Sequence, residues 1–226
     1  MTPEQTAALL GRLELFGALD GPARLELARR SPQRRFGRGQ TILLQGEPGD
    51  SMFVLLDGEV RFLVRSNRGE VVELNRHGPP ATFGELAVLD GGPRSVSVEA
   101  VKESTALVVS RVELVRLVHA HAEVADGLLK TLGALVRRAT TQVTNQVFLD
   151  VEGRVAAKLL DLAVGLGGGR LVPRISQSDL AAMVGASRGG VNEVLGEFRR
   201  LGYIRVLPDR SVEILRRDKL ERRATI

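Results

Sequence analysis

The sequence predicts an α+β protein in three parts: short helices and a β-sandwich or barrel, then one long helix, then a compact α-rich domain closed by a hairpin. Three observations predict it. Between about Arg34 and Val109 the apolar residues come in short runs cut by Gly-rich turns, the pattern of an all-β sandwich or barrel. From Ala122 to Leu149 there is no Pro and only two Gly, and apolar residues recur every three or four positions. After Asp150 the helical period continues in shorter pieces separated by Gly.

Each element follows from its residues. Leu9, Leu10, Leu13 and Phe16 recur at helical spacing and Gly17 ends the run. Gly21-Pro22 then opens a second short helix over Ala23 to Arg30. Strands are expected at Thr41–Leu44, Met52–Leu56, Val60–Val64, Val71–Leu74, Ser95–Ala100 and Ala106–Val109. The turns are Gly46-Glu47-Pro48-Gly49-Asp50, Asp57-Gly58 and Asn67-Arg68-Gly69. A short helix covers Val112 to Val118. The long helix carries the stripe Leu128, Leu132, Leu135, Ala139, Val143 and Val147, a continuous seam of the kind that pairs two helices in a dimer. About 28 residues at 1.5 Å each span roughly 40 Å, longer than packing on one small domain requires. Helices are then expected over Gly153–Leu166, Ser176–Val184 and Ser187–Leu201, with a flexible loop at Gly165–Gly169. A hairpin joins Tyr203–Val206 to Val212–Leu215 through Pro208-Asp209-Arg210. The domain reading is 1–121, 122–149 and 150–226.

Composition narrows the function. Hydrophobic residues make up 43% of 226 and charged residues 26%, the balance of a chain that buries a core. The absence of Cys removes disulfide scaffolds, thiolate metal sites, Cys-ligated iron–sulfur clusters and Cys nucleophiles. Three His, at 77, 119 and 121, do not make a multi-His metal site. His77 is the one candidate for a haem axial ligand in the sandwich and is expected simply to end a strand. No Ser lies near a His in a motif and no carboxylates cluster at metal-ligand spacing, so no enzyme is expected. With no membrane-length apolar run and no basic-then-apolar leader, a soluble cytoplasmic protein is expected. From Asp150 onward there are 14 Lys/Arg against 10 Asp/Glu, whereas the first 149 residues carry 18 against 17. A basic second half fits an anionic partner, most simply nucleic acid, or a solvated basic face.

Two motifs carry the chemistry. In Ile175–Arg188, Ser176 caps a helix with Asp179 at its third position, Gly185 allows a sharp turn, and Ser187 caps a second helix. Val191, Val194, Leu195 and Phe198 give that second helix its inward face. This is a helix-turn-helix with its second helix free for a major groove, and the hairpin after it makes it winged. A plain helical hairpin is the alternative. The other motif is Phe83-Gly84-Glu85-Leu86 followed by Arg94-Ser95. Gly84 permits close backbone approach, Glu85 accepts from a sugar hydroxyl, Arg94 suits a phosphate and Ser95 donates a hydrogen bond. Taken alone, the same residues also fit a surface turn with a Glu–Arg ion pair.

The whole chain from about Phe16 to Leu215 resembles the CRP/FNR family of bacterial transcription regulators. The resemblance rests on these two motifs, on Gly46–Asp50 and Leu56-Asp57-Gly58, and on Phe148–Ala156. It implies an N-terminal jelly roll that binds a cyclic nucleotide, a dimerisation helix, a C-terminal winged helix-turn-helix, and RNA polymerase as a partner. Carried over by position, Gly84 and Glu85 hold a ribose, Leu86 adjoins them, and Arg94 and Ser95 bind the cyclic phosphate of cAMP. The position of the usual adenine-binding hydroxyl on the long helix is Ala139, and Thr140, with Thr141 next to it, stands in. On the other domain, Ser176, Gln177, Ser187, Arg188, Gly190, Asn192 and Glu193 form the expected DNA-facing set. Gly189 and Glu193 occupy positions where the best-known pattern has Glu and Arg, so the half-site is expected to differ. A homodimer then reads a palindromic double-stranded operator with half-sites about 34 Å apart. The alternative is a regulator of the same family that is active without ligand or answers another small effector.

Overall fold

The computed structural model describes residues 1–66, 69, 71–164, 171–172, 175–208 and 211–225. The chain divides into two compact units, Met1–Val136 and Arg137–Ile226. Three expected loops fall partly or wholly outside the described residues: Asn67-Arg68, Gly165–Gly169 and Asp209-Arg210.

The first unit opens with α1, Pro3–Leu10, started by a reciprocal cap between Thr2 and Gln5, and α2, Gly21–Arg30, capped by Asp20. The expected continuous helix to Gly17 stops at Leu10. The chain turns there because Leu15, Phe16 and Leu19 all enter the core. The backbone of Glu14 and Leu15 also runs so near Gly127 that a Cβ there would sit 3.0 and 2.8 Å from their carbonyl oxygens.

Eight strands follow: β1 Gln33–Phe36, β2 Thr41–Leu43, β3 Ser51–Asp57, β4 Val60–Arg65, β5 Val71–His77, β6 Ala81–Phe83, β7 Ser97–Ala100 and β8 Ser104–Ser110. They form two antiparallel sheets in the orders β1-β8-β3-β6 and β2-β7-β4-β5, the topology of a jelly roll. His77 does end β5, its ring edge-on to Phe62 at 5.1 Å.

Double-sided burial explains why β3 is apolar without a break from Met52 to Leu56, whereas β4 carries Arg61 between Val60 and Phe62. Met52, Val54 and Leu56 face the helical layer, packing with Leu10, Phe16, Leu27, Leu114, Leu117, Val124 and Leu128. Phe53 and Leu55 face the other sheet and meet Phe36, Leu43, Val60, Phe83 and Val98. There the rings of Phe53 and Phe83 stack at 5.4 Å. A sheet covered on one face only shows polar residues outward. Accordingly Arg61 on β4 bonds Glu99 at 2.6 Å and lies 3.5 Å from Glu73.

Between β6 and β7 stands α3, Glu85–Asp90, and after β8 come α4, Arg111–Ala120, and α5, Ala122–Phe148. The expected seam of α5 needs correction. Leu128 is 7% exposed and belongs to the core of its own unit. The outward apolar residues are Leu129, Leu135, Val136, Val143, Val147 and Phe148. Leu128 leaves the seam because the helix must first satisfy the helical layer against which Val124 and Leu128 pack, whereas Leu135, Ala139, Val143 and Val147 of the expected seam remain outward.

The second unit holds α6 Val151–Val164, β9 Leu171–Val172, α7 Gln177–Val184, α8 Arg188–Arg200, β10 Ile204–Val206, β11 Val212–Ile214 and α9 Arg217–Arg223. The hairpin β10–β11 gains β9 as a third strand. Its core gathers Val155, Leu159, Leu180, Val184, Val191, Phe198, Ile204, Ile214 and Leu220. The two-residue β9 and the seven-residue α9 are too short for periodicity to reveal.

Candidate functional site

The first site is built by two backbone segments held side by side. Arg94 N–H donates to Glu47 O at 2.8 Å and Gly46 N–H to Arg94 O at 2.9 Å, and Pro48 bridges Pro93. This fixes the root of Arg94, whose side chain runs inward and is 6% exposed. Its Nη1 donates to Gly84 O and its Nη2 to Ser51 O, both at 2.7 Å. These use two of the five guanidinium donors.

Two glycines make room for that guanidinium. A Cβ on Gly49 would collide with Arg94 Nε and Cζ, and one on Gly84 would lie 2.8 Å from Nη1. Gly84 also has φ +83°, left-handed backbone that a side chain would strain. Gly49 belongs to a cluster that reads in sequence only as a turn. Its contact with Arg94, 45 residues away, is set by the tertiary fold.

Glu85 begins α3 beside this guanidinium. Burial pushes its carboxyl above the ordinary carboxylate value, with a backbone hydrogen bond and the charge of Arg94 acting in the opposite sense. Its Oε2 is buried and has no hydrogen-bond partner. Burial also lowers Arg94, against which the charges of Asp50 and Glu85 act. Asp50 is a part of the site that sequence reasoning missed. An exposed turn with a surface ion pair is thereby excluded for Arg94. The enclosure offers donors for an anion and an unused acceptor for a hydroxyl.

Leu86 is half-buried next to Glu85, and Ser95 is exposed next to Arg94. Thr140 lies on α5 in the second unit and is exposed. Its neighbour Thr141 donates back to Arg137 O at 2.9 Å, so Thr140 is the freer hydroxyl. A shallow depression lined by Thr41, Leu44, Leu63, Arg65, Val71, Ser97 and Glu99 contains none of these residues.

The second site is the helix pair α7–α8. Ser176 Oγ accepts from Asp179 N–H at 3.0 Å, and Ser187 Oγ accepts from Gly190 N–H at 3.1 Å. Between them Gly185, at φ +62°, closes α7 with its N–H on Ala182 O. Val191 and Phe198 are buried, which turns Arg188, Asn192 and Glu193 outward, all exposed, together with Ser176, Gln177 and Ser187. Gly190 is half-buried, and a Cβ there would touch Val151 Cγ1 at 4.0 Å.

Arg154 ties this pair to the end of α5, a role that its sequence position did not reveal. Its Nε donates to Val184 O at 2.7 Å and its Nη1 to Leu149 O at 2.6 Å. One side chain thus holds the last carbonyl of α7 and the residue after α5.

Among the described residues, no three His, Asp or Glu stand close enough to hold a metal, and no helix is long and apolar enough to cross a membrane. A jelly roll enclosing a guanidinium beside a carboxylate, joined to a winged helix-turn-helix, defines a ligand-binding and DNA-binding regulator. Residues 33–121 match the cyclic nucleotide-binding domain and residues 153–223 the Crp-like helix-turn-helix domain. The chain is 35% identical over 221 residues to a CRP-like cAMP-activated global transcriptional regulator of Mycobacterium tuberculosis, covering 96% of this chain and 98% of that one. It is 33% identical over 202 residues to a cyclic AMP receptor protein of Thermus thermophilus, covering 88% and 91%. The crystal structure of the Thermus thermophilus catabolite activator protein is similar with a TM-score of 0.57 at 31% identity, over 93% of this chain and 98% of that one. The chain belongs to the CRP/FNR family of transcriptional regulators, which are not enzymes.

Gly49→Ala should displace the Arg94 guanidinium and strand the carbonyls of Ser51 and Gly84. The expected loss is about 1–3 kcal/mol, read as a lower urea midpoint. Gly78→Ala, which meets nothing within 4 Å, should leave the midpoint unchanged.

Proposed function

We propose that this regulator is a homodimer that binds palindromic DNA under the control of cAMP. The observation that carries the effector half is the buried Arg94 beside the buried, unbonded oxygen of Glu85. A cyclic phosphate has one negative charge for Arg94 and Ser95. A ribose hydroxyl has the donor that Glu85 lacks, and Gly84 and Leu86 frame the approach. Thr140 supplies the polar contact to the base. The names of the relatives, cAMP-activated regulator and cyclic AMP receptor protein, support cAMP over other effectors. In this reading residues 1–121 receive the effector, 122–149 pair the subunits and 150–226 bind DNA. The working place is the cytoplasm, where RNA polymerase is the next partner.

The dimer reading rests on the outward face of α5. Leu129, Val136, Val143 and Val147 are each 64–68% exposed and follow one another at seven, seven and four positions. Such a row on a 27-residue helix is the seam of a two-helix interface. On the DNA side, Ser176, Gln177 and Ser187 serve phosphates, Gly190 lets the backbone come close to them, and Arg188, Asn192 and Glu193 face the base edges.

A mobility-shift assay of a palindrome selected from a random pool, with and without cAMP, tests the whole reading. Retention only with cAMP is expected. Equal retention without it would favour the ligand-independent alternative.

Arg94→Leu should abolish calorimetric cAMP binding, and unchanged affinity would remove the phosphate role. Glu85 adds a proton signature. Its carboxyl is raised in the free protein, and a hydroxyl donated to the carboxylate lowers it again. Binding should therefore release protons, and affinity should rise with pH from the ordinary carboxylate value up to the raised one. Calorimetry in buffers of different ionisation heat reads this directly. Glu85→Gln should remove the release, and the same release in the variant would refute the assignment.

Val136→Glu with Val143→Glu buries charge in the seam and should give monomers by sedimentation. A parent protein already monomeric at micromolar concentration would defeat the dimer.

Arg188→Ala should cost about 1–3 kcal/mol per half-site and relax preference at one guanine of each. A uniform loss with an unchanged selected motif would make Arg188 a phosphate anchor. Glu193→Arg should shift the preferred base, since at about 100° per residue it lies roughly 140° around α8 from Arg188.

A further inference from the structure

Helix α9 has no role in the reading above. Leu220 is fully buried in the core of the second unit and docks the helix there. The charges around α9 are unevenly divided. Taking Leu220 as the inward direction, Arg223, Lys219 and Arg222 lie at about 60°, 100° and 160° on one side, and Arg217, Glu221 and Asp218 at about the same angles on the other. Both acids are already paired: Glu221 accepts from Arg217 Nε at 2.8 Å and Asp218 from Arg216 Nε at 3.4 Å. One flank therefore carries three cations; the acid next to it, Asp218, stands four residues before Arg222 on the outer face and is already paired with Arg216.

The Arg223 end of that flank meets the first turn of α6. Arg223 Nη1 donates to Glu152 Oε2 at 3.1 Å, and a Cβ on Gly153 would lie 2.8 Å from Arg223 O. The same turn of α6 meets the start of α8, where a Cβ on Gly190 would lie 4.0 Å from Val151 Cγ1. The beginnings of α8 and α6 and the end of α9 thus stand in one row. Three residues of helix and one Arg side chain make that row on the order of 15 Å long, under half of a ~34 Å turn of DNA.

We propose that α9 is a phosphate-anchoring helix, in which Lys219 and Arg222, alongside Arg223, bind backbone phosphates just outside the half-site that α8 reads. This rests on the DNA-binding reading above. The partner is the sugar–phosphate backbone and not the bases, because these cations flank the groove-entering helix and neutralise charge without a geometry that selects a base. Arg223 is held in place by Glu152. Lys219 and Arg222 carry the contacts that the helix-turn-helix and hairpin do not supply.

The test uses the full chain with cAMP and two 40-bp duplexes, one carrying the palindrome selected by the parent protein and one of unrelated sequence. Lys219→Gln and Arg222→Gln are made singly and together, with Leu220 and Arg223 kept so that α9 stays docked. Each single change removes one contact per subunit, two per dimer, and should make the slope of log K against log salt shallower by about 1.8, and the pair by about twice that, on both duplexes. The selected palindrome should not change, and ethylation interference should vanish at phosphates flanking each half-site. Arg217→Gln, on the opposite flank, should leave the slope unaltered. An unchanged slope in the double variant, or an equal loss from Arg217→Gln, overturns the role of α9 while leaving DNA binding intact. A parent protein that retains neither duplex overturns the DNA-binding reading, and this proposal with it.

Discussion

A guanidinium enclosed in a β-sandwich is the constraint on which the first unit turns. Removing a charge from water is costly unless every side of it is answered. The carbonyls of Ser51 and Gly84 answer two donors, and the charges of Asp50 and Glu85 answer the field. Space is made by omission, since Gly49 and Gly84 carry no atom where the guanidinium lies. The strand β3, the turn at Gly46–Asp50 and the start of α3 are therefore pinned to one another through one side chain. Glu85 remains the member whose acceptor is unanswered, and that leaves the enclosure suited to a ligand.

The same logic of answered and unanswered groups runs along α5. Its first turns spend Val124 and Leu128 on their own core, after which the apolar residues have nothing of their own unit to meet. A row of exposed Val and Leu at seam spacing on a helix this long is a surface awaiting another helix. In the second unit Arg154 repeats on a smaller scale what Arg94 does in the first, joining Leu149 to Val184 by two short donations. The orientation of the helix pair α7–α8 against the end of α5 depends on it.

Much of this was legible in the residues. The strand runs, the two serine caps of the helix-turn-helix and the Gly84-Glu85 with Arg94 pattern are local signals. Each depends on residues within about ten positions. The failures have a common cause. The helix stops at Leu10 because Leu15, Phe16 and Leu19 enter the core, and Leu128 leaves the seam of α5 because the helical layer over β3 takes it. The elements β9 and α9 exist because β11 and α6 offer them a surface.

What the sequence by itself determined was periodicity, capping and the identity of the charged pair, because backbone geometry and neighbouring hydrogen bonds express these within a single element. Only the tertiary structure decided that Arg94 is buried and not on a surface turn, that Gly49 serves it, and that Leu128 is core while Leu129 is not. It alone decided that the Arg223 end of the basic flank of α9 lies beside the start of α6. Those outcomes depend on which atoms meet across separations as large as the 43 residues from Ser51 to Arg94 and the 71 from Glu152 to Arg223. Close packing of one surface on another settles them, and no local propensity encodes it.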